Sequence, residues 1–110
     1  MTKDLSKKYI PMTETTYYTL LSVIEARHGY AIMQFVSTIT NERIKLGTGT
    51  LYTMVGRLTT DGLIFIVEND SGKKVYQITE LGRELLEQET ERLQAQLQDG
   101  KKILQEGENE

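Results

Sequence analysis

Two short β-type runs lie between helical patterns in this chain. The first, Leu63–Glu68, is β-branched and aromatic, and the second, Lys73–Ile78, returns with Val75 or Tyr76 facing inward. The four residues at 69–72 (NDSG) between them favour a turn. The sequence therefore predicts a β-hairpin set among helices.

Three helical patterns precede this hairpin. Thr13 is placed to cap the first, which is predicted to end at residues 27–29 (RHG) with Gly29 in a left-handed conformation. Residues 41–46 form a connection, and residues 47–49 (GTG) begin the third helix, with Thr48 as its cap. Asp61 and Gly62 end that helix. The apolar positions that define the three helices are Tyr17, Leu20, Leu21 and Ile24, then Ile32, Phe35, Val36 and Ile39, then Leu51, Val55 and Leu58.

A long helix follows the hairpin, capped by Thr79. Up to about Gly100 it would be roughly 33 Å long, which exceeds what a small core can cover. Its apolar stripe therefore needs a second surface, and we expect a dimer interface that includes Leu86, Leu93, Leu97 and Leu104. The stripe as a whole comprises Leu86, Thr90, Leu93, Leu97, Gly100 and Leu104.

Three helices, a hairpin and a long helix are the order of elements in a winged helix-turn-helix. The fold class expected is α+β and mainly helical. We predict a flexible arm at 1–12, the winged-helix domain at 13–78, and a C-terminal dimerisation helix with a frayed end at 79–110.

Composition excludes several kinds of site. The chain has 110 residues, no Cys and one His, so disulfides, thiolate nucleophiles and multi-histidine metal sites are excluded. Gly47-x-Gly49 lacks the remaining residues of a phosphate-binding loop, and the serines lack an adjacent His/Asp arrangement. His28 is best interpreted as part of a turn. We therefore expect no enzymatic activity, no cofactor, no metal and no membrane span, and a cytoplasmic location.

Charge is distributed unevenly along the chain. Residues 1–83 carry 10 basic and 8 acidic side chains, whereas residues 84–110 carry 3 and 8. The body is slightly basic although the net charge is −3. Because phosphate contact depends on local charge, nucleic acid stays open as a partner.

Three segments in this order resemble the PadR-like transcriptional regulators. They are HGYAIM at 28–33, GTGTLYTMVGRLTTDGLI at 47–64 and KKVYQITELGRELL at 73–86. The resemblance spans roughly residues 13–86. It implies a dimeric winged-helix repressor on a pseudo-palindromic operator, dimerised by its C-terminal helix.

The third helix would then be the recognition helix, whose first turn enters the major groove. Hydroxyl and backbone N–H groups there can meet phosphates and base edges. Arg57, Lys45, Lys73 and Lys74 are candidate phosphate contacts, and Arg43 is a weaker one. The recognition-helix candidates are Thr48, Gly49, Thr50, Tyr52 and Thr53. On the alternative interpretation, these groups only cap the helix or face solvent.

Two other functions stay open. One is a winged-helix adaptor that binds protein without DNA, which the net charge favours. The other is a sensor, as in members that release DNA on binding phenolic or hydrophobic effectors. Its pocket for a small apolar effector would be lined by Tyr17, Tyr18 and Leu93. Salt-dependent binding to duplex DNA separates a regulator from an adaptor.

Overall fold

The computed structural model describes residues 2–67 and 72–108. Within these ranges the chain forms five helices and three short strands. The helices are α1 (Thr2–Tyr9), α2 (Glu14–Ser22), α3 (Gly29–Ile39), α4 (Thr48–Thr60) and α5 (Glu80–Glu108); the strands are β1 (Arg27–His28), β2 (Ile64–Val67) and β3 (Val75–Ile78). This is the predicted winged helix, with a long C-terminal helix.

The strands form one antiparallel sheet in the order β1-β3-β2. β3 pairs with both neighbours, so that Tyr76 lies opposite Arg27 on one side and Ile66 on the other. Tyr76 faces the core, whereas Phe65 and Ile66 are exposed. The predicted hairpin is confirmed for its described residues. Residues 68–71, which include most of the predicted turn, lie outside them.

A single apolar core joins the helices to the sheet. Its members are Tyr9, Met12, Leu20, Val23, Ile32, Val36, Leu51, Val55, Leu58, Leu63, Ile64, Tyr76, Leu85 and Leu86. The predicted apolar positions supply much of this set because period 3.6 places them on one face of each helix. Leu51, Val55 and Leu58 therefore pack one face of α4 against the core, and its opposite face is exposed to solvent.

Residues 2–12, the described part of the predicted flexible arm at 1–12, differ from that expectation. α1 forms there, and Tyr9 and Met12 are buried in the core. The Tyr9 hydroxyl donates to Asp61 at 2.6 Å, and Lys8 pairs with the same carboxylate at 2.7 Å. Burial, reinforced by the bond to Asp61, raises the pKa of Tyr9 to about 12. α1 is thus tied to the end of α4.

The first predicted helix is shorter than expected. α2 ends at Ser22, and Arg27 and His28 pair with β3 as a strand. Gly29 is the first residue of α3, not a left-handed helix end, because the His28 Nδ1 accepts the Ala31 N–H at 3.4 Å and caps α3. The predicted cap at Thr13 is confirmed by its bond from the Thr16 N–H.

Of three further element boundaries, two differ from the predictions and one confirms them. Gly47, not Thr48, is the N-cap of α4, and no side chain caps that helix. β3 begins at Val75, so Lys73 and Lys74 precede the strand. The end of α4 at Asp61 is confirmed, with Gly62 at φ +78°.

α5 continues beyond Gly100 to Glu108, the last described residue, and the frayed end stays a prediction. Thr79 caps it as predicted, since its Oγ1 accepts the Gly82 N–H at 3.0 Å. Its 29 residues span about 43 Å. The first turns pack on α1, α2 and β3, and every residue from 94 to 107 is exposed.

Candidate nucleic-acid interface

The solvent face of α4 is polar and begins at the first turn of the helix. Thr48, Gly49, Thr50 and Thr53 are all exposed, and nothing lies within 4 Å of the position that a side chain at Gly49 would occupy. The predicted recognition-helix residues thus lie together on one accessible surface. Its first N–H groups have no side-chain cap and are free to meet an acceptor from outside.

Tyr52 connects this face of α4 to α3. Its side chain is 52% exposed, yet the ring lies over Gly29. A Cβ atom on Gly29 would be 2.8 Å from the Tyr52 hydroxyl oxygen and 3.3 Å from a methyl carbon of Leu51. The absence of a side chain at Gly29 therefore allows Tyr52 to pack at the start of α3.

Arg57 lies on the α4 face but is held by its own domain. One guanidinium nitrogen donates to the Thr16 Oγ1 and lies near the Met54 sulfur, both at 3.3 Å. The guanidinium also lies over the Tyr9 ring, 5.4 Å from its centroid. The side chain still borders a shallow cleft with Thr50 and Thr53, so it keeps one accessible edge.

The two basic residues before α4 differ in their contacts. Lys45 is 69% exposed and lies 3.7 Å from Glu42, a loose surface pair. Arg43 donates to Glu14 at 2.6 Å and to the Tyr18 hydroxyl at 3.0 Å. The bond to Glu14, above all, raises the pKa of the Arg43 guanidinium. Lys45 is the better placed of the two to contact a ligand.

A second cleft lies between α4 and the base of the hairpin, and we call it the wing-base cleft. Its volume is about 450 Å³. Its walls are His28, Gly29 and Tyr30 at the start of α3, Tyr52 on α4, and Lys73, Lys74 and Tyr76 leading into β3. Lys73 and Lys74, the two lysines predicted to contact phosphate, are both exposed at this cleft.

Sequence reasoning assigned no ligand contact to Tyr30 or Tyr76. Tyr30 is 62% exposed. Either Val75 or Tyr76 was expected to face inward, and Tyr76 is the buried one, at 4% exposed. Neither was distinguishable from a packing tyrosine, because the cleft arises only when α3, α4 and β3 come together.

The residues predicted to bind an effector lie where α2 meets α5. The Tyr17 hydroxyl is 2.7 Å from the Thr90 Oγ1, and the Tyr17 and Tyr18 rings meet edge to face at 5.6 Å. Leu93 is half-buried on α5. The effector pocket stays a prediction.

The apolar stripe on α5 divides into a covered and an uncovered part. Leu86 was expected to lie in the dimer interface. It is 3% exposed in the core of its own domain and is therefore not available to a partner. Leu97 and Leu104 are 55% and 72% exposed, and Ile103 beside them is 63% exposed. The stripe open to another surface therefore begins near Leu93.

The comparison with known families identifies the family to which this fold belongs. Residues 20–88 match the transcriptional regulator PadR-like family. The chain belongs to this family. The match includes the whole of α3, α4 and the hairpin, which are the elements that make the PadR winged helix.

Solved structures support the same PadR fold. A transcriptional regulator from Clostridium thermocellum is 23% identical, with 90% of this chain and 96% of that chain covered and a TM-score of 0.66. A PadR-like transcription factor from Bacteroides fragilis is 26% identical, with coverage of 84% and 87% and a TM-score of 0.57. A PadR family regulator from Clostridium difficile is 20% identical, with coverage of 81% and 97% and a TM-score of 0.67.

No protein of curated function matches the chain. Among the described helices, none combines the length and the apolar character that a membrane crossing requires.

Proposed function

We propose that this PadR-like regulator binds duplex DNA sequence-specifically and represses transcription by occupying its operator as a dimer. The observation that carries the proposal is the continuity of the α4 face with the wing-base cleft. Thr50 and Thr53 line the cleft on α4, and Tyr52, which lies beside Thr53 in the sequence of α4, lines the wing-base cleft with Lys73. Both clefts therefore border α4, and we call their exposed polar residues the polar strip. A recognition helix in a major groove, flanked by a basic wing, uses surfaces of this kind.

The chemistry of the strip suits a polyanion. The described residues lining its two clefts supply hydroxyl, ammonium, guanidinium, imidazole and backbone N–H groups, and no carboxylate is among these described residues. Arg57, Lys73 and Lys74 provide positive charge along its length. This local balance supports DNA as the partner although the net charge is −3.

The exposed part of α5 supports the dimer. Leu93, Leu97 and Leu104 recur at steps of 4 and 7 residues along a helix segment that its own domain does not cover. Pairing two such helices would bury these side chains. A two-fold dimer would also present two recognition helices about 34 Å apart, one turn of DNA, as a pseudo-palindromic operator requires.

Replacing both Thr50 and Thr53 with Ala tests the assignment of α4. Because both threonines are exposed, we expect the free energy of unfolding to stay nearly unchanged. Binding to a site selected from random DNA should weaken, by about 1–3 kcal/mol for each base that a threonine hydroxyl recognises. Fluorescence anisotropy at one fixed salt concentration measures the affinity.

A control variant, Thr38→Ala, removes an equally exposed threonine from α3 outside both clefts. It should bind the selected site as the wild type does. If the double variant also keeps wild-type affinity and wild-type discrimination between selected and unrelated DNA, α4 is not the recognition helix.

A further inference from the structure

The wing-base cleft concentrates hydrogen-bond donors around a concave surface. Lys73 and Lys74 contribute ammonium groups, and the tyrosines contribute hydroxyls. The first turn of α3, an 11-residue helix, contributes the positive end of its dipole. His28 accepts the Ala31 N–H through Nδ1, so a neutral His28 ring carries its proton on Nε2, where it is a donor.

Tyr76 brings to this cleft a hydroxyl group that makes no hydrogen bond to any described residue. Its side chain is 4% exposed, yet its hydroxyl has no hydrogen-bond partner among the described residues, while its ring belongs to the core. The hydroxyl oxygen itself is not cut off from the cleft, so a partner that enters the cleft can reach it. Burial, with a smaller contribution from Tyr52, raises the pKa of Tyr76, so the hydroxyl stays protonated and can donate at neutral pH.

Tyr52 completes the wall opposite the lysines. Its ring packs over Gly29 beside the first turn of α3, and its hydroxyl has no hydrogen-bond partner within the part of the chain that the structure describes. An acceptor with several oxygens and negative charge would satisfy both phenols and the ammonium groups together. A phosphate group has these properties.

We propose that the wing-base cleft binds one phosphate group of a DNA strand passing between α4 and the hairpin, with the Tyr76 hydroxyl as a direct donor. This inference rests on the proposed function for the identity of the strand. It adds a phosphate contact made by a core tyrosine, which fixes the position of the wing relative to the duplex without reading its sequence.

Tyr76→Phe removes only the hydroxyl and keeps the buried ring. The thermal stability should not fall, because the hydroxyl has no hydrogen-bond partner to lose among the described residues. Affinity for DNA should fall about tenfold, the effect of one hydrogen bond to a charged group, and by the same factor on selected and unrelated duplexes. The salt dependence should be unchanged, because tyrosine carries no charge.

Thr38→Ala is the control, since it removes an exposed hydroxyl of α3 outside the cleft. It should bind DNA as the wild type does. Combining Tyr76→Phe with Lys73→Gln and Lys74→Gln should weaken binding by less than the product of the separate effects, because all three contact the same phosphate. Wild-type affinity in Tyr76→Phe, or fully multiplicative effects, would overturn the proposal.

Inorganic phosphate separates this inference from the proposed function. If the wild type binds no duplex DNA, the proposed function fails, and a phosphate titration followed by the amide signals of Gly29 and Tyr30 decides the cleft. Saturable shifts in the wild type that are abolished in Tyr76→Phe would support a site for a small phosphate anion. Signals that do not respond would overturn the site.

Discussion

At the scale of single residues, Glu89 is a buried charge that joins α5 to the N-terminal segment. Its carboxylate is 1% exposed, accepts the Met12 N–H at 3.1 Å, and accepts two N–H groups from Arg92 at 2.7 and 2.8 Å. The Arg92 hydrogen bonds, together with the Met12 N–H, hold the pKa of Glu89 below its usual value. The ion pair with Arg92, in which both carboxylate oxygens accept, requires the ionised form.

Glu89→Gln should lower the free energy of unfolding at neutral pH by about 1–3 kcal/mol, because the buried partners lose a charged acceptor. A lowered pKa means that this stabilisation is present above the ordinary glutamate pKa and is lost as pH falls through the folded-state pKa. The difference between wild type and variant, measured by chemical denaturation, should therefore shrink below about pH 4.5. Glu87→Gln, an exposed change on the same helix, should show neither effect.

A second single-residue constraint acts where the hairpin joins α5. A Cβ atom on Gly82 would collide with the Leu63 backbone carbonyl and lie 2.9 Å from the Ile78 side chain. Gly82→Ala should thus destabilise the fold by about 2 kcal/mol or more, since backbone must move. Gly56→Ala, in open space on α4, should instead stabilise by up to about 1 kcal/mol. Equal melting shifts for the two variants would contradict this packing.

At the scale of elements, the sequence predicted those whose stability has a local signature. α3 and α4 follow from apolar periodicity, and the caps at Thr13 and Thr79 from residue type. β1 was missed because a two-residue strand exists only through its pairing with β3. α1 was missed because its order depends on contacts more than 50 residues away, such as Tyr9 with Asp61.

The residues of the candidate site also fall into two groups, those with a local sequence signature and those that depend on distant contacts. Thr50 and Thr53 could be assigned from their place on one helix. The positions of Tyr76 and of the start of α3 in the cleft lining could not be predicted, because three elements distant in sequence form the wing-base cleft. The hydrogen bond from Arg57 to Thr16 and the contact of Arg57 with the Tyr9 ring could not be predicted either, since both partners lie outside α4.

At the scale of the whole molecule, α5 extends the chain to 61 Å in its longest dimension, against 34 and 21 Å in the others. Leu97 and Leu104 lie on this extension, largely exposed. Replacing both with Glu should place like charges in the proposed dimer interface while leaving the core of each subunit intact. Light scattering should then report a monomer, and operator affinity should fall steeply.

Exposed polar positions on the same extension provide the control. Gln94→Glu with Gln98→Glu adds the same charge beside the stripe and should leave the dimer intact. A wild-type monomer at tens of micromolar, or a dimeric leucine double variant, would show that α5 does not join two subunits.

The dependence of duplex DNA binding on salt concentration tests the central claim most directly. If the polar strip binds DNA, the logarithm of the association constant should fall linearly with the logarithm of salt concentration, by about 0.9 for each phosphate neutralised. Lys73→Gln with Lys74→Gln should reduce that slope by roughly one to two units. No measurable binding at low salt, or binding with no salt dependence, would contradict a DNA-binding regulator and favour a winged helix that binds protein instead.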